Sequence, residues 1–325
     1  MKTLYPLKFK SIFKEKIWGG NKIRDVLEKD SAPDRCGESW EISGVEGDVS
    51  VVQAGELKGS SLNDLIRVYG SDLLGSEIYK IYGHEFPLLI KFLDANEDLS
   101  IQVHPDDELA QKRHQSSGKT EMWYVIQADR NAKLISGFKT QTNTQEFIEK
   151  VENGQLMDIL NLEQVVDGDT FYIPAGRVHT IGKGLLVAEI QQTSDVTYRI
   201  YDFDRTDVEG NKRELHIEQA LEAIDFAELD HSKVPYSSQP NAVNPLVKSR
   251  FFTTNQLVLD KEYRRDYRDL DSFKIIICTE GAVSMTWNGI KTPLKKGETC
   301  LLPAVCKDME MSPNPHVVLL ETYIA

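Results

Sequence analysis

Four residues of metal-binding type lie in this 325-residue chain inside segments that read as strands. In LSIQVHPDDELA, Gln102 and His104 stand at i and i+2, so an extended backbone points both to one face while Ile101 and Val103 take the other. In GKTEMWYVIQA, Glu121 shares a face with Trp123 and Val125, opposite Met122, Tyr124 and Ile126. A carboxylate in an apolar strand is costly to bury unless it is paired or bound to a cation. His179 completes the set: Gly168, five residues, Pro174, Ala175, Gly176, two residues and His179 describe a strand, TFYI, that enters a tight turn and leaves with a histidine opening the next strand. Gln102, His104, Glu121 and His179 make a four-point set of nitrogen and oxygen donors suited to Zn²⁺, with a position left for water or substrate. Two histidines and a carboxylate also suit Fe²⁺ or Mn²⁺, so the spacing does not name the ion.

The surrounding pattern is mostly that of strands. FPLLIKFLD (86–94) is a nearly unbroken apolar run, as for a strand buried on both faces, and Lys91 inside it needs a partner. GLLVAEIQQ carries one acid, Glu189, in its middle, and in VTYRIYD the residues Thr197, Arg199 and Tyr201 share a face. Trp18 in KEKIWGG and Trp40 in CGESWEISG sit beside glycines and carboxylates, placed to pack at strand ends or to line a pocket. Helical spacing predicts an insertion over about 57–82 behind a Ser61 cap, a second over 142–162, and a helix over 214–229. The Pro/Ser/Asn-rich stretch 236–249 reads as a linker, and 250–325 as a run of strands. There Gly297, five residues and Pro303 repeat the earlier frame, with Val305 standing for Gly176 and Asp308 for His179.

Composition narrows the partners. The net charge is −13, from 38 basic and 51 acidic residues with no basic block, which makes nucleic acid and anionic membrane poor partners. An anionic substrate would have to be met by local lysines and arginines. No run approaches the ~20 apolar residues of a membrane span and the first residues lack an apolar leader core, so a cytoplasmic location is expected. Cys36, Cys278, Cys300 and Cys306 form no Cys-x-x-Cys pair and are expected to be reduced and mostly buried.

The frame around His179 resembles the second sequence motif of the cupin β-barrel. The blocks IQVHPDDELA, GKTEMWYVI, DTFYIPAGRVHTI and AEIQQTSDVTYRIYDFDR, with KEKIWGG and GESWEIS before them, resemble the class I phosphomannose isomerases in their short bacterial form, from near residue 10 to about residue 216. The resemblance implies a mainly β fold of two cupin (jelly-roll) domains. These are a catalytic barrel with helical insertions over 1–235 and, after the linker, a degenerate barrel without metal ligands over 250–325. It implies one zinc ion held by Gln102, His104, Glu121 and His179. Lys119, two residues before the ligand glutamate, Glu189 and Arg199 then match the family's active-site lysine, glutamate and arginine. The expected reaction interconverts D-mannose 6-phosphate and D-fructose 6-phosphate through an enediol, in a monomer or weak homodimer.

That reaction needs an electrophile for a developing oxyanion, an acid/base whose pKa burial moves toward neutrality, and a cationic clamp for phosphate. Glu189 reads as the base, or else as an acid paired to a structural lysine. Arg199 reads as the clamp, with Lys119 and Arg205 adding to it, or else as half of a buried ion pair. Acid is expected to release the metal from about pH 6.5 downward as the histidines protonate. Two other classes hold a metal in a similar barrel: a cupin dioxygenase, which typically shows His-x-His where this chain has Gln102-x-His104, and a non-catalytic sugar-phosphate sensor, against which Lys119, Glu189 and Arg199 argue.

Overall fold

The computed structural model describes residues 2–206, 209–228 and 232–325, and among them the chain is mainly β. Its first eleven strands are β1 (Ile12–Gly20), β2 (Cys36–Ile42), β3 (Leu88–Ala95), β4 (Ile101–Val103), β5 (Glu121–Ala128), β6 (Lys133–Phe138), β7 (Leu160–Gln164), β8 (Thr170–Ile173), β9 (His179–Ile181), β10 (Leu185–Gln192) and β11 (Tyr198–Tyr201). They form a six-stranded sheet, β1-β2-β3-β10-β5-β8, and a five-stranded sheet, β11-β4-β9-β6-β7. The two pack face to face through Leu93, Trp123, Val125 and Val187 of the first and Leu134 and Ile181 of the second.

Strand periodicity decides which side chains enter that interface. On β5, Trp123 and Val125 face it while Met122 and Tyr124 face the opposite core; on β10, Leu185 and Val187 face it while Leu186, Ala188 and Ile190 turn away. All eight residues of β3 are buried, as its apolar run predicts. Register then sets Trp40, Lys91, Glu189 and Trp123 side by side across four strands on one face. On the other sheet Arg199, Gln102, His179 and Ser136 form a matching row.

The helical segments are shorter than their patterns suggest. The first insertion is three pieces, Leu62–Tyr69, Ser71–Leu74 and Ser76–Tyr82, the first capped by Ser61, whose side chain accepts from the Asp64 amide. The second helix spans Thr144–Glu152 and stops at Asn153 and Gly154, the latter with φ +67°. Residues expected to continue it form a 3₁₀ turn, Leu156–Asp158, and then β7. The third spans Ile217–Ala223. Beyond it Phe226 leaves the helix to stack on Phe138 at 5.8 Å, and Leu229 lies outside the described residues.

The remaining strands are β12 (Val243–Lys248), β13 (Thr253–Leu259), β14 (Tyr263–Asp266), β15 (Lys274–Trp287), β16 (Ile290–Lys295), β17 (Thr299–Leu302) and β18 (Asp308–Tyr323), all in one seven-stranded sheet. β12 lies inside the stretch expected to be a linker. It is an edge strand, where Pro245 is tolerated because no donor is missed from the interior of the sheet. This sheet joins the rest through a shared core in which Phe273, Ile275, Leu301 and Leu320 pack with Leu7, Phe86, Leu88 and Ile90. The four cysteines are free and buried.

Among the described residues, no cluster of metal-ligating side chains lies at the repeated frame in this sheet. Asp308, standing where His179 stands in the first copy, pairs with Arg264 at 2.7 Å. The fully buried acid is Glu321, which is saturated. It accepts from Arg265 through Nε and Nη2 (2.8 Å each), from Tyr267 Oη (2.6 Å) and from Asn255 Nδ2 (3.0 Å). Removing one partner of such a pair leaves a charge without solvent or counterion. Arg265→Met is therefore expected to cost about 3–5 kcal/mol in urea unfolding, and a loss below about 1 kcal/mol would show that Glu321 finds other compensation.

Candidate active site

Three of the four expected ligands come together. His104, Glu121 and His179 are 0–1 % exposed, and their donor atoms all lie within 4.8 Å of one another. Glu121 enters from β5 of one sheet, His179 from β9 of the other, and His104 from the residue after β4. The turn before His179 explains how two of them meet: Gly176 donates its amide to the His104 carbonyl (2.9 Å), tying the turn to the end of β4. Gly176 has φ +87°, and a Cβ there would come within 2.9 Å of the Ala223 carbonyl, so no larger residue fits.

Each histidine presents the same nitrogen to the centre. His104 Nδ1 donates to the Val196 carbonyl (2.9 Å) and His179 Nδ1 to the Arg177 carbonyl (2.7 Å), which leaves both Nε2 atoms as acceptors. His104 Nε2 lies 3.6 Å from Glu121 Oε2, and His179 Nε2 lies 3.4 Å from Glu121 Oε1. Among the described residues, His104 Nε2 and both Glu121 oxygens are buried without a hydrogen-bond partner. Orphaned acceptors are costly inside a protein, and a cation answers all three at once. Two donors about 2.1 Å from one ion at a tetrahedral angle stand about 3.4 Å apart, close to the two separations found. The donor set therefore fits a divalent metal ion. Gln102, the fourth expected ligand, stands beside them: its Nε2 lies 3.3 Å from His179 Nε2, and a half-turn of the amide would bring its oxygen to the same place.

Burial sets the protonation. It lowers His104 well below the usual histidine range, Lys119 adding to the effect, and takes His179 down to about 3. Burial thus favours the neutral, metal-binding form of both, so acid release of a metal is expected to begin at a lower pH than their ordinary value of ~6.5 implies. Glu121 is the group that moves toward neutrality: burial pushes it up to about 7 against the pull of Lys119, whose Nζ is 3.3 Å from Oε2. Below that pH the metal-free site holds a proton on Glu121 that an incoming cation must displace. Titrating a divalent ion into the metal-free protein at pH 6 in buffers of differing ionisation enthalpy is expected to show release of about one proton, falling toward zero by pH 8. Equal heats in all buffers at pH 6 would place the proton elsewhere.

A cleft of about 290 Å³ lies beside this cluster, its wall including Gln102 and Lys119, which stand 3.3 Å from His179 Nε2 and Glu121 Oε2 respectively. Glu189 and Arg199 line it too, so the expected site residues lie in the cluster, beside it or on the cleft, with the exception of Arg205. Both alternative readings of Glu189 meet here. Its Oε2 pairs with the buried Lys91 Nζ at 3.2 Å, and its Oε1 accepts from Trp123 Nε1 at 3.1 Å. Burial raises the pKa of Glu189, but Lys91 and then Lys119 outweigh it and hold the carboxylate below its usual range. The acid is thus ionised at neutral pH and oriented at both oxygens. Lys91 itself rests 5.0 Å over the Trp40 ring; it helps hold Glu38 down to about 2 despite burial, and Trp40 Nε1 donates to Glu38 at 2.6 Å.

Arg199 donates Nη1 to the Glu214 carbonyl (2.8 Å), while its Nε is buried without a partner. Trp18 lines the cleft, the pocket-lining one of its two expected roles, and Lys16 of β1 and Arg213 line it as well although nothing in the sequence singled them out. Arg205 does not line it; its guanidinium binds Asp202 (2.5 Å) and the Asp98 carbonyl.

A buried two-histidine, one-carboxylate cluster beside a cleft with arginines and lysines in its wall is the kind of site a mainly β enzyme offers a small anionic molecule. Comparison with known proteins makes the class specific. Residues 6–145 match the family model of the phosphomannose isomerase type I catalytic domain. The chain is 37 % identical over 304 residues to the mannose-6-phosphate isomerase ManA of Bacillus subtilis, covering 93 % of this chain and 94 % of that protein. It is 35 % identical over 315 residues to the mannose-6-phosphate isomerase of Streptococcus mutans, covering 96 % and 97 %. A crystal structure of the Bacillus subtilis mannose 6-phosphate isomerase superposes with a TM-score of 0.88 at 33 % identity, over 99 % of this chain and 100 % of that one. The chain belongs to the type I phosphomannose isomerases and is an isomerase. This membership does not favour the dioxygenase or sensor readings.

Proposed function

We propose that this chain interconverts D-mannose 6-phosphate and D-fructose 6-phosphate through an enediol, with one zinc ion held by Gln102, His104, Glu121 and His179. The observation that carries the reading is the set of orphaned acceptors on His104 and Glu121 beside a cleft whose wall holds a partnerless Arg199 Nε. When bound, the ion would supply an electrophile for the oxygens on C1 and C2. Glu189, ionised and held by Lys91 and Trp123, takes the proton from the carbon beside the carbonyl and returns it to the neighbouring carbon. Lys119, against the ligand carboxylate, moves protons at the sugar oxygens and opens the ring. Arg199 and Arg213 clamp the phosphate, supplying the local positive charge that the net charge of −13 denies. Trp18 and Trp123 limit water in the cleft.

The same reading extends to architecture and setting. The paired sheets of residues 1–235 are a cupin jelly roll, and the seven-stranded sheet is a second one without metal ligands, in keeping with the Arg264 pairing of Asp308. The enzyme works in the cytoplasm as a monomer or weak homodimer; no helix among the described residues is long and apolar enough to cross a membrane. The test is a coupled assay of mannose 6-phosphate conversion before chelation, after it and after return of zinc. Activity is expected to vanish and return; a zinc-loaded protein without activity would sink the reading.

A further inference from the structure

The wall that carries Arg199 is organised by one buried carboxylate that the proposed reaction does not use. Asp202, 5 % exposed, directly follows β11. Arg213 donates to it at two points, Nε to Oδ2 at 2.7 Å and Nη2 to Oδ1. Arg205 donates Nη2 to Oδ1 at 2.5 Å and Nε to the Asp202 carbonyl at 3.2 Å. Both legs of the chain beyond β11 are thereby fastened to one residue, the outgoing leg by Arg205 and the returning leg by Arg213. Of these two arginines only Arg213 reaches the cleft. The returning leg is also held by His216, which exchanges hydrogen bonds with the Arg199 backbone (3.1 and 2.7 Å).

Arg199 and Arg213 are like charges on one wall, and only a nearby anion makes that arrangement favourable. Burial, then Arg213, holds Arg199 below its usual range, while Asp202 acts in the opposite direction. Without a carboxylate at 202, Arg213, whose side chain is already 30 % exposed, would gain by turning toward water and away from Arg199.

We propose that Asp202 is a positioning residue: it holds Arg213 in the cleft wall and so sets the affinity for the phosphate end of the substrate, without touching the reacting carbons. This rests on reading Arg199 and Arg213 as the phosphate clamp. The predicted signature is a separation of KM from kcat, because the residues assigned to proton transfer lie on the other sheet or beside it.

The experiment uses the zinc-loaded full chain, with mannose 6-phosphate as substrate and inorganic phosphate as competitive inhibitor. Asp202→Asn is expected to raise both KM and the phosphate inhibition constant about tenfold, the scale of one charge-assisted contact, with kcat within about twofold. Arg213→Met should do the same, and the double variant should be no worse than Arg213→Met alone. An unchanged inhibition constant in Asp202→Asn, a kcat that falls while KM stays, or additive effects in the double variant would overturn the positioning role. An unchanged constant in Arg213→Met would instead sink the clamp reading itself. Should Asp202→Asn not fold, Asp202→Glu keeps the charge and displaces the carboxylate by one methylene; it too is expected to weaken phosphate, and no change would overturn the proposal.

Discussion

His179→Ala is expected to yield a folded protein that holds no stoichiometric metal after gel filtration and has no measurable isomerase activity. The residue contributes the Nε2 that faces Glu121 at 3.4 Å, and its ring packs edge-on against Trp123 at 5.4 Å. Partners that merely orient a ligand histidine are worth about 10- to 100-fold in metal affinity, so loss of the ligand itself should exceed about a hundredfold. Alanine also removes a fully buried ring, so thermal unfolding has to be recorded beside the metal content. A variant that keeps one equivalent of tightly bound zinc would show that the cluster at His104, Glu121 and His179 is not where the ion sits.

The second large effect is expected at Glu189. Glu189→Gln keeps the size of the side chain and an oxygen for Trp123 Nε1, and it leaves His104, Glu121 and His179 untouched. Metal content should therefore stay near one per chain while kcat falls by about 10²- to 10⁴-fold, the usual worth of a positioned acid/base. The substitution also takes the counterion from Lys91, which is 4 % exposed, and breaking a buried pair costs about 3–5 kcal/mol. Stability must therefore be measured alongside, and a loss of kcat in a protein that melts normally is the informative result. Normal turnover would move the base elsewhere, and transfer of solvent deuterium into substrate recovered from the variant would identify a step that Glu189 does not perform.

The relation of Lys91 to Glu189 also shows why the two readings of Glu189 were never exclusive. A lysine in an apolar strand and an acid in another each demand a partner. Register makes them neighbours, and the resulting pair keeps Glu189 ionised and fixed in orientation. The carboxylate that burial carries toward neutrality is Glu121 instead, because desolvation of its fully buried oxygens, with Glu189 adding to it, outweighs the pull of Lys119 and Lys91.

What the sequence determined by itself is what depends on local rules. A period of two put Gln102 beside His104 in orientation and Glu121 on the face of Trp123 and Val125. The Gly176 turn could be read from its Pro-x-Gly spacing, where glycine alone takes a φ of +87° at ease, and the second copy of the frame could be read to carry Asp308 where the first carries His179. Helix lengths were overread, since apolar spacing over 142–162 continues past Gly154 although the backbone turns there. Tertiary structure alone decided the rest. It paired Lys91 with Glu189 through strand order, brought Arg213 back some fourteen residues after Arg199 to the same wall, and left Arg205 outside it. Those placements depend on sheet register and on how loops return, which act between residues far apart in the chain and leave no periodic trace in it.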